Sequence, residues 1–169
     1  HYTKLAERIA SFHQRVEQRY PGALTCHAGC SQCCHQHLSV YGFEFERIRS
    51  AVEMLSDTEL AELGHRLSAG RDDPRCPLLN DKGKCRVYDA RPMICRSHGL
   101  PISLGDPPSR DVCPLNFTSG PSPDVMPAED VLNVNSVNAI MAVLDHVEAD
   151  GKGQRIDLIE GLRQHLAED

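Results

Sequence analysis

The sequence has no tryptophan and only four tyrosines and four phenylalanines among its 169 residues. Proteins that stack single-stranded bases need aromatic platforms, so we do not expect that mode of nucleic-acid binding. Positive charge is also in short supply, because 18 lysines and arginines face 24 aspartates and glutamates for a net charge of −6. An acidic chain is poorly suited to a broad phosphate-binding surface, and we therefore expect no nucleic-acid partner.

Long apolar runs are missing as well. No segment approaches the roughly 20 apolar residues that a membrane span requires, and no N-terminal stretch has the layout of a secretory signal. We therefore expect a cytoplasmic protein without a membrane partner. The length predicts a single domain over residues 1–169, which can bury a core without needing disulfides or metal merely to fold.

Cysteine is the residue type in excess. All eight cysteines lie between Cys26 and Cys113. An even number suits a disulfide framework in a secreted protein, but no secretory signal is present. In addition, Cys33 and Cys34 are adjacent, and such pairs rarely bond without strain. We therefore favour a reducing compartment in which the thiolates bind a metal or cluster, over disulfides or unliganded thiols.

Helical spacing of apolar residues predicts regular structure at both ends of the chain. A stripe with steps of three and four predicts a helix over residues 1–20 and consists of Tyr2, Leu5, Ile9, Phe12 and Val16. Similar spacing predicts helices over 43–70 and 128–167. Ser56 and Glu59 have the spacing of a capping box inside the first of these ranges, and residues 150–153 interrupt the second.

The middle of the chain is rich in proline and predicted to be irregular. Ten of the eleven prolines fall between Pro74 and Pro127, which excludes long regular elements there. One short β-hairpin is predicted over residues 76–88, and residues 91–96 predict a helical turn begun by proline. The expected fold class is mainly α: a helical domain around an irregular Cys/Pro-rich metal-binding insert, with cysteine-rich segments at 26–37 and 71–113 and one short β-hairpin.

The densest cysteine cluster is Cys26-x3-Cys30-x2-Cys33-Cys34. Soft thiolates select zinc or iron–sulfur centres over hard cations. The spacing matches neither the bacterial ferredoxin pattern nor a two-pair zinc ribbon. In extended backbone the side chains of Cys33 and Cys34 point to opposite sides. We therefore expect these two cysteines to serve two different centres, or only one of them to be a ligand.

The motif continues along the chain in three blocks. These are Cys76-Pro77-Leu78-Leu79, Gly83-Lys84-Cys85-Arg86-Val87-Tyr88 and Arg91-Pro92-Met93-Ile94-Cys95-Arg96. Over about residues 26–100 the chain resembles the zinc- or iron-chelating domain family that is named after its CxxCxxCC motif, the YkgJ-like cysteine cluster proteins. One departure is that three residues, not two, separate Cys26 from Cys30. The resemblance implies metal or iron–sulfur binding and supplies no reaction.

All eight cysteines are predicted metal ligands. They are Cys26, Cys30, Cys33, Cys34, Cys76, Cys85, Cys95 and Cys113. Their number allows two four-cysteine centres or one polynuclear centre with bridging thiolates. His27, His35 and His37 stand beside the first cluster, and we expect each of them to support the ligands or to be exposed rather than to be a ligand itself. His98, three residues after Cys95, is a stronger candidate ligand.

Charge in the cysteine-rich middle favours iron. Residues 71–113 contain eight lysines and arginines and six acidic residues, whereas the remainder is strongly acidic. Nearby cations suit an anionic cluster. We therefore predict an iron–sulfur or thiolate-iron protein with a redox, electron-transfer or metal-dependent catalytic role. We expect an unknown protein partner, which is either a redox partner or a substrate.

Two alternatives stay open from the sequence. A structural or chelating zinc module would present its helices to a protein partner. A thiol–disulfide enzyme would use the Cys33–Cys34 pair. The sequence has no catalytic triad, phosphate loop or carboxylate pair that stands out, so whether it is an enzyme is left open. An oxidoreductase would depend on an open coordination position at the metal.

Overall fold

The computed structural model describes residues 1–148, 153 and 155–168. Its helices within that range are α1 (Tyr2–Arg19), α2 (Gly42–Val52), α3 (Asp57–Ala69), α4 (Met93–Ser97), α5 (Val134–Glu148) and α6 (Leu158–Glu168). Its strands there are β1 (Ser39–Tyr41), β2 (Ile102–Leu104), β3 (Ser109–Asp111), β4 (Leu132–Asn133) and β5 (Arg155–Asp157). The fold class is therefore mainly α with short β elements, as the sequence predicts.

The chain forms two compact units, each made from two segments. The first unit consists of residues 1–27 and 93–147, and the second unit of residues 28–92 and 148–169. The single domain expected over 1–169 stays a prediction. Most of the predicted helix break at 150–153 lies outside the described residues.

In the first unit, α1 buries the apolar stripe that its sequence predicts. All five stripe residues, from Tyr2 to Val16, are buried. The end of α1 is fastened by Asp130, whose side chain is fully buried. Arg19 Nε lies 3.1 Å from an Asp130 carboxylate oxygen, and Tyr20 Oη donates a 2.7 Å hydrogen bond to the same carboxylate. A buried carboxylate needs such partners, because burying it alone is costly.

The other elements of the first unit surround a small sheet. Strands β2 and β3 pair antiparallel, and β2 also pairs with β4 in parallel. The prediction that the helix begins near residue 128 is wrong, since residues 128–130 form a 3-10 turn and β4 precedes α5. Backbone pairing to β2 keeps this stretch extended, and Asn133 Oδ1 then accepts from the Ser136 N–H at 2.9 Å to begin the helix. The predicted helical turn over 91–96 corresponds to α4.

The second unit packs α2, α3 and α6 around its own hydrophobic core. Strands β1 and β5 pair antiparallel. The core residues are Val40, Phe45, Ile48, Val52, Leu63, Leu67, Leu78, Val87, Leu158, Ile159 and Leu162. The predicted capping box begins α3: Ser56 Oγ accepts from the Glu59 N–H at 3.4 Å, and Glu59 Oε2 accepts from the Ser56 N–H at 3.1 Å.

The predicted hairpin over residues 76–88 is present in compact form. Leu79 and Cys85 form an antiparallel bridge. The Arg86 N–H donates to the Leu78 carbonyl at 2.9 Å, and the Asn80 N–H donates to the Lys84 carbonyl at 2.9 Å. Backbone hydrogen bonds therefore close the turn of this hairpin. Cys76 and Cys85 lie on its two opposite arms.

The capping box gives a direct test of the second unit. Ser56→Ala removes the hydroxyl that caps α3 and should lower the free energy of unfolding by about 1 kcal/mol. Thermal or urea unfolding of the reduced protein measures this loss. Thr58→Ala, an exposed change in the first turn of the same helix, is the matched control and should cost clearly less. Equal losses for the two variants would contradict the role of the cap.

Candidate metal centre

The eight cysteines divide between the two units. The second unit contains Cys30, Cys33, Cys34, Cys76 and Cys85, and the first unit contains Cys26, Cys95 and Cys113. No disulfide bond joins any two of the eight. The boundary between the units therefore falls inside the first cysteine cluster, after Cys26 and before Cys30.

The adjacent pair Cys33–Cys34 is brought together by a helical turn. Residues Gln32–Cys34 form a 3-10 helix, and the two Sγ atoms lie 3.9 Å apart. A tetrahedral site with metal–sulfur distances of about 2.3 Å separates its sulfurs by about 3.8 Å. The expectation that the two side chains point to opposite sides is wrong, because the backbone is not extended here. The pair has the separation that two ligands of one metal ion need.

Cys76 lies next to this turn. Its backbone N–H donates to the Cys34 carbonyl at 2.7 Å, which joins the hairpin to the vicinal pair. Both Cys76 and Cys85 pack against the core of the second unit. The backbone N–H of Leu78 stabilises the Cys76 thiolate, and that of Val87 stabilises the Cys85 thiolate. Each donor is two residues beyond its cysteine, so the hairpin presents both sulfurs in the same way.

The loop that carries Cys30 lies against the tip of the hairpin. A Cβ on Gly83 would come within 3.0 Å of the Gly29 carbonyl oxygen and 3.3 Å of Ser31 Oγ. Gly83 also has a φ of +69°, which side chains other than glycine rarely adopt. This close approach requires glycine and keeps the backbone on both sides of Cys30 near the turn between Cys76 and Cys85.

Three thiols of the second unit have raised pKa values, which favour their neutral form. Desolvation raises the pKa of Cys76 to about 11 and raises the pKa of Cys85. A hydrogen bond with Cys34, together with burial, raises the pKa of Cys33. Two arginines oppose this effect. The positive charge of Arg66 lowers the pKa of Cys76, and that of Arg91 lowers the pKa values of Cys33 and Cys85.

The sulfur donors of the second unit fit a thiophilic metal. Within residues 1–148, 153 and 155–168, no three His, Cys, Asp or Glu side chains are grouped closely enough to hold a metal ion. Soft sulfur donors, one pair at ligand separation and backbone N–H groups facing two sulfurs suit zinc or iron. Arg66 forms ion pairs with Asp73 and Asp81, and its Nη1 is buried without a hydrogen-bond partner among the described residues.

The cysteines of the first unit have a different setting. Cys26 is exposed, and its Sγ lies 3.4 Å from Asn116 Nδ2. The Asn116 backbone N–H donates to the Cys113 carbonyl at 2.8 Å. Cys95 is half-buried on α4. Asn116 is buried and contacts the segments of two candidate ligands, yet it lies outside the cysteine motif, and no spacing rule in the sequence singles it out.

Two of the three histidines beside the first cluster bind backbone carbonyls. A ring nitrogen of His27 lies 2.9 Å from the Thr25 carbonyl oxygen, and one of His37 lies 3.1 Å from the Asp73 carbonyl oxygen. These contacts suit supporting positions. His98, the stronger candidate, has a pKa lowered by burial, an effect that the charge of Asp111 opposes. A low pKa favours the neutral imidazole, which is the form that binds metal.

Sulfur donors of this kind define the chain as a metal-binding protein of the thiolate class. It belongs to the CxxCxxCC family, described as "Putative zinc- or iron-chelating domain", whose model matches residues 25–113, just over half of the chain. The metal is accordingly zinc or iron. Neither a search of curated proteins nor a search of solved structures found a match. Among the described residues, every helix is too short or too polar to cross a membrane.

The raised pKa of Cys76 predicts that the unfolding free energy of the reduced, metal-free protein depends on pH. The pKa of Cys76 is raised from 9.0 to about 11 in the fold, so between these values the native state binds more protons than the unfolded chain. The contribution of Cys76 to stability is complete below about pH 9 and is lost as the pH rises towards 11. The loss should be on the order of 2 kcal/mol.

Unfolding free energies measured from pH 8 to pH 11 test this prediction. Cys76→Ala removes the titrating group, so its stability should fall less steeply with pH than that of the unmodified chain. Parallel curves for the two proteins would contradict the assignment.

Proposed function

We propose that this metal-binding protein holds iron, as a thiolate-bound ion or an iron–sulfur cluster, and serves a redox, electron-transfer or metal-dependent catalytic role. The single observation that carries the proposal is the vicinal pair Cys33–Cys34, which a backbone hydrogen bond joins to the hairpin that contains Cys76 and Cys85. The Sγ atoms of the vicinal pair are 3.9 Å apart, and the Cys34 carbonyl accepts from Cys76. Cys33, Cys34, Cys76 and Cys85 are the proposed ligands there, with Cys30 on the adjoining loop.

The charges around these thiols favour an anionic centre. Four thiolates on one divalent ion, or on an iron–sulfur cluster, give a net negative group. Arg66 acts on Cys76, and Arg91 acts on Cys33 and Cys85. Cations and backbone N–H donors around sulfur stabilise such a centre and adjust its reduction potential. This surrounding supports iron, because redox tuning is of use only to a metal that changes oxidation state.

Zinc is the second candidate, and one observation favours it. Cys76 and Cys85 pack against the hydrophobic core of the second unit. Ligands closed off in this way suit a structural tetrahedral zinc site, which has no open coordination position. The protein would then be a structural or chelating module that acts through a protein partner.

Metal and sulfide analysis of protein purified without oxygen separates the candidates. We expect iron and broad absorption near about 400 nm that bleaches on reduction with dithionite. Acid-labile sulfide would identify a cluster, and its absence a thiolate-bound iron. Colourless protein that contains only zinc would overturn the redox proposal and establish the zinc module.

Serine substitutions test the proposed ligands directly. Cys76→Ser and Cys85→Ser should each lower metal affinity by tenfold or more, because a hydroxyl is a poor ligand for a soft metal. Metal content after dialysis against a chelator of known affinity measures the change. Lys84→Ser, an exposed change next to Cys85 in the same hairpin, is the matched control and should retain the metal. Full metal content in folded forms of both cysteine variants would rule out these two ligands.

A further inference from the structure

We propose that Asn116 is the positioning residue for the Cys26 thiolate, which it holds in place as a metal ligand through one side-chain N–H. The inference rests on the proposed function, since it requires Cys26 to be one of the metal-binding thiolates of this protein. Asn116 lies beyond residues 25–113, the range that the family model covers. Its assignment comes from the contacts of its amide group.

The orientation of the Asn116 amide is determined by its partners. Asn116 Oδ1 accepts from the Thr25 backbone N–H at 2.9 Å and from Thr25 Oγ1 at 3.0 Å. Asn116 Nδ2 donates to the Gly99 carbonyl oxygen at 2.7 Å. A backbone N–H can only donate and a carbonyl can only accept, so exchanging the oxygen and nitrogen of the amide would break both backbone contacts.

The second hydrogen of Nδ2 is then available for sulfur. Cys26 Sγ lies 3.4 Å from Nδ2 and 3.9 Å from Oδ1. A neutral thiol can use the longer contact as a donor, but a thiolate has no hydrogen and can use only the shorter one. The site therefore supplies a donor that suits the deprotonated sulfur, which is the form that binds metal.

The surroundings make this donor rigid. Asn116 is only 3% exposed, whereas Cys26 is an exposed residue on an irregular segment. Gly99 also lies close to both groups, since a Cβ at this position would be 2.9 Å from Cys26 Sγ and 3.1 Å from Asn116 Nδ2. A rigid hydrogen bond orients a ligand that would otherwise rotate freely, and such supporting contacts are typically worth 10- to 100-fold in metal affinity.

Cobalt binding to the full chain tests the inference. Co²⁺ is the probe, and its affinity and thiolate-to-cobalt absorption are compared among Asn116→Asp, Cys26→Ser and the double variant. Asn116→Asp keeps the oxygen that binds Thr25 but loses both N–H groups of Nδ2, the one that faces the Cys26 sulfur and the one that binds the Gly99 carbonyl. We expect it to bind Co²⁺ at least tenfold more weakly, with the same loss of absorption as Cys26→Ser. The double variant should be no weaker than Cys26→Ser alone, because both changes act through one ligand.

The matched control is Asn135→Asp. Like Asn116, Asn135 uses both ends of its side-chain amide to bind backbone groups. It donates to the Gly105 carbonyl at 2.9 Å and accepts from the Gly105 N–H at 3.4 Å. It lies in the same unit but has no cysteine in this contact, so its Co²⁺ binding should be unchanged. A loss equal to that of Asn116→Asp would show that the effect is structural and would overturn the inference.

The remaining outcomes separate the two proposals. Unchanged Co²⁺ binding in Cys26→Ser would show that Cys26 is not a ligand and would remove the basis of the inference, while the ligands of the second unit stay as proposed. Loss in Cys26→Ser with normal binding in Asn116→Asp would overturn the role of Asn116 alone. An additive loss in the double variant would also overturn it.

A measurement on the unmodified chain covers the case in which Asn116→Asp does not fold. In protein loaded with ¹¹³Cd²⁺, a hydrogen bond to a metal-bound sulfur transmits scalar coupling from cadmium to the donor proton. We expect such a coupling at a side-chain amide proton of Asn116. Its absence, in protein whose Cys26 β-protons do couple to cadmium, would overturn the inference.

Discussion

The hydrogen bond from the Cys76 backbone N–H to the Cys34 carbonyl, 2.7 Å long, is the constraint on which the thiols of the second unit depend. Neither of the segments that it joins contains a long helix or strand that could fix its position. Proline also removes backbone donors from the second of them. This backbone hydrogen bond, the close glycine contact beside Cys30 and the His37–Asp73 contact therefore keep the cysteines of the two segments near one another.

The hydrophobic core supports this arrangement through the same residues that face the sulfurs. Leu78 and Val87 are core residues of the second unit, with 3% and 4% of their surface exposed. Their backbone N–H groups stabilise the thiolates of Cys76 and Cys85. Burying the two side chains thus also orients the two donors. The free energy gained by burying apolar surface is in this way coupled to the geometry of the metal ligands.

Sequence reasoning succeeded where a periodic or local rule applied. The stripe of α1, the capping box of α3 and the hairpin over residues 76–88 all follow from short-range patterns. The predicted start of α5 is wrong because β4 pairs with the distant strand β2. This pairing keeps residues extended that have helical spacing in the sequence. The predicted orientation of Cys33 and Cys34 is wrong because the directions of adjacent side chains depend on whether the backbone is extended or helical. A segment without apolar periodicity does not reveal which backbone conformation it adopts.

Asn116 illustrates a different reason why a site resists prediction. The polar contacts of its side chain reach Thr25, Cys26 and Gly99, which are distant in sequence. The same residue begins an Asn-x-Thr triplet, which by sequence alone matches a glycosylation acceptor. Only the fold reveals that its amide is buried and fully used. Supporting residues of a metal site are generally of this kind, because a hydrogen bond to a ligand requires proximity in space and no particular spacing in the chain.

Metal binding at Cys76 and Cys85 is coupled to the loss of their protons. A neutral thiol is inexpensive to bury, whereas a bare thiolate in the same place is costly. Burial raises the pKa values of Cys76 and Cys85, so their thiols stay protonated until a cation replaces the proton. The exchange of these protons for a metal ion therefore makes metal affinity at the two cysteines depend on pH, and it relieves the cost of a bare thiolate in a desolvated position.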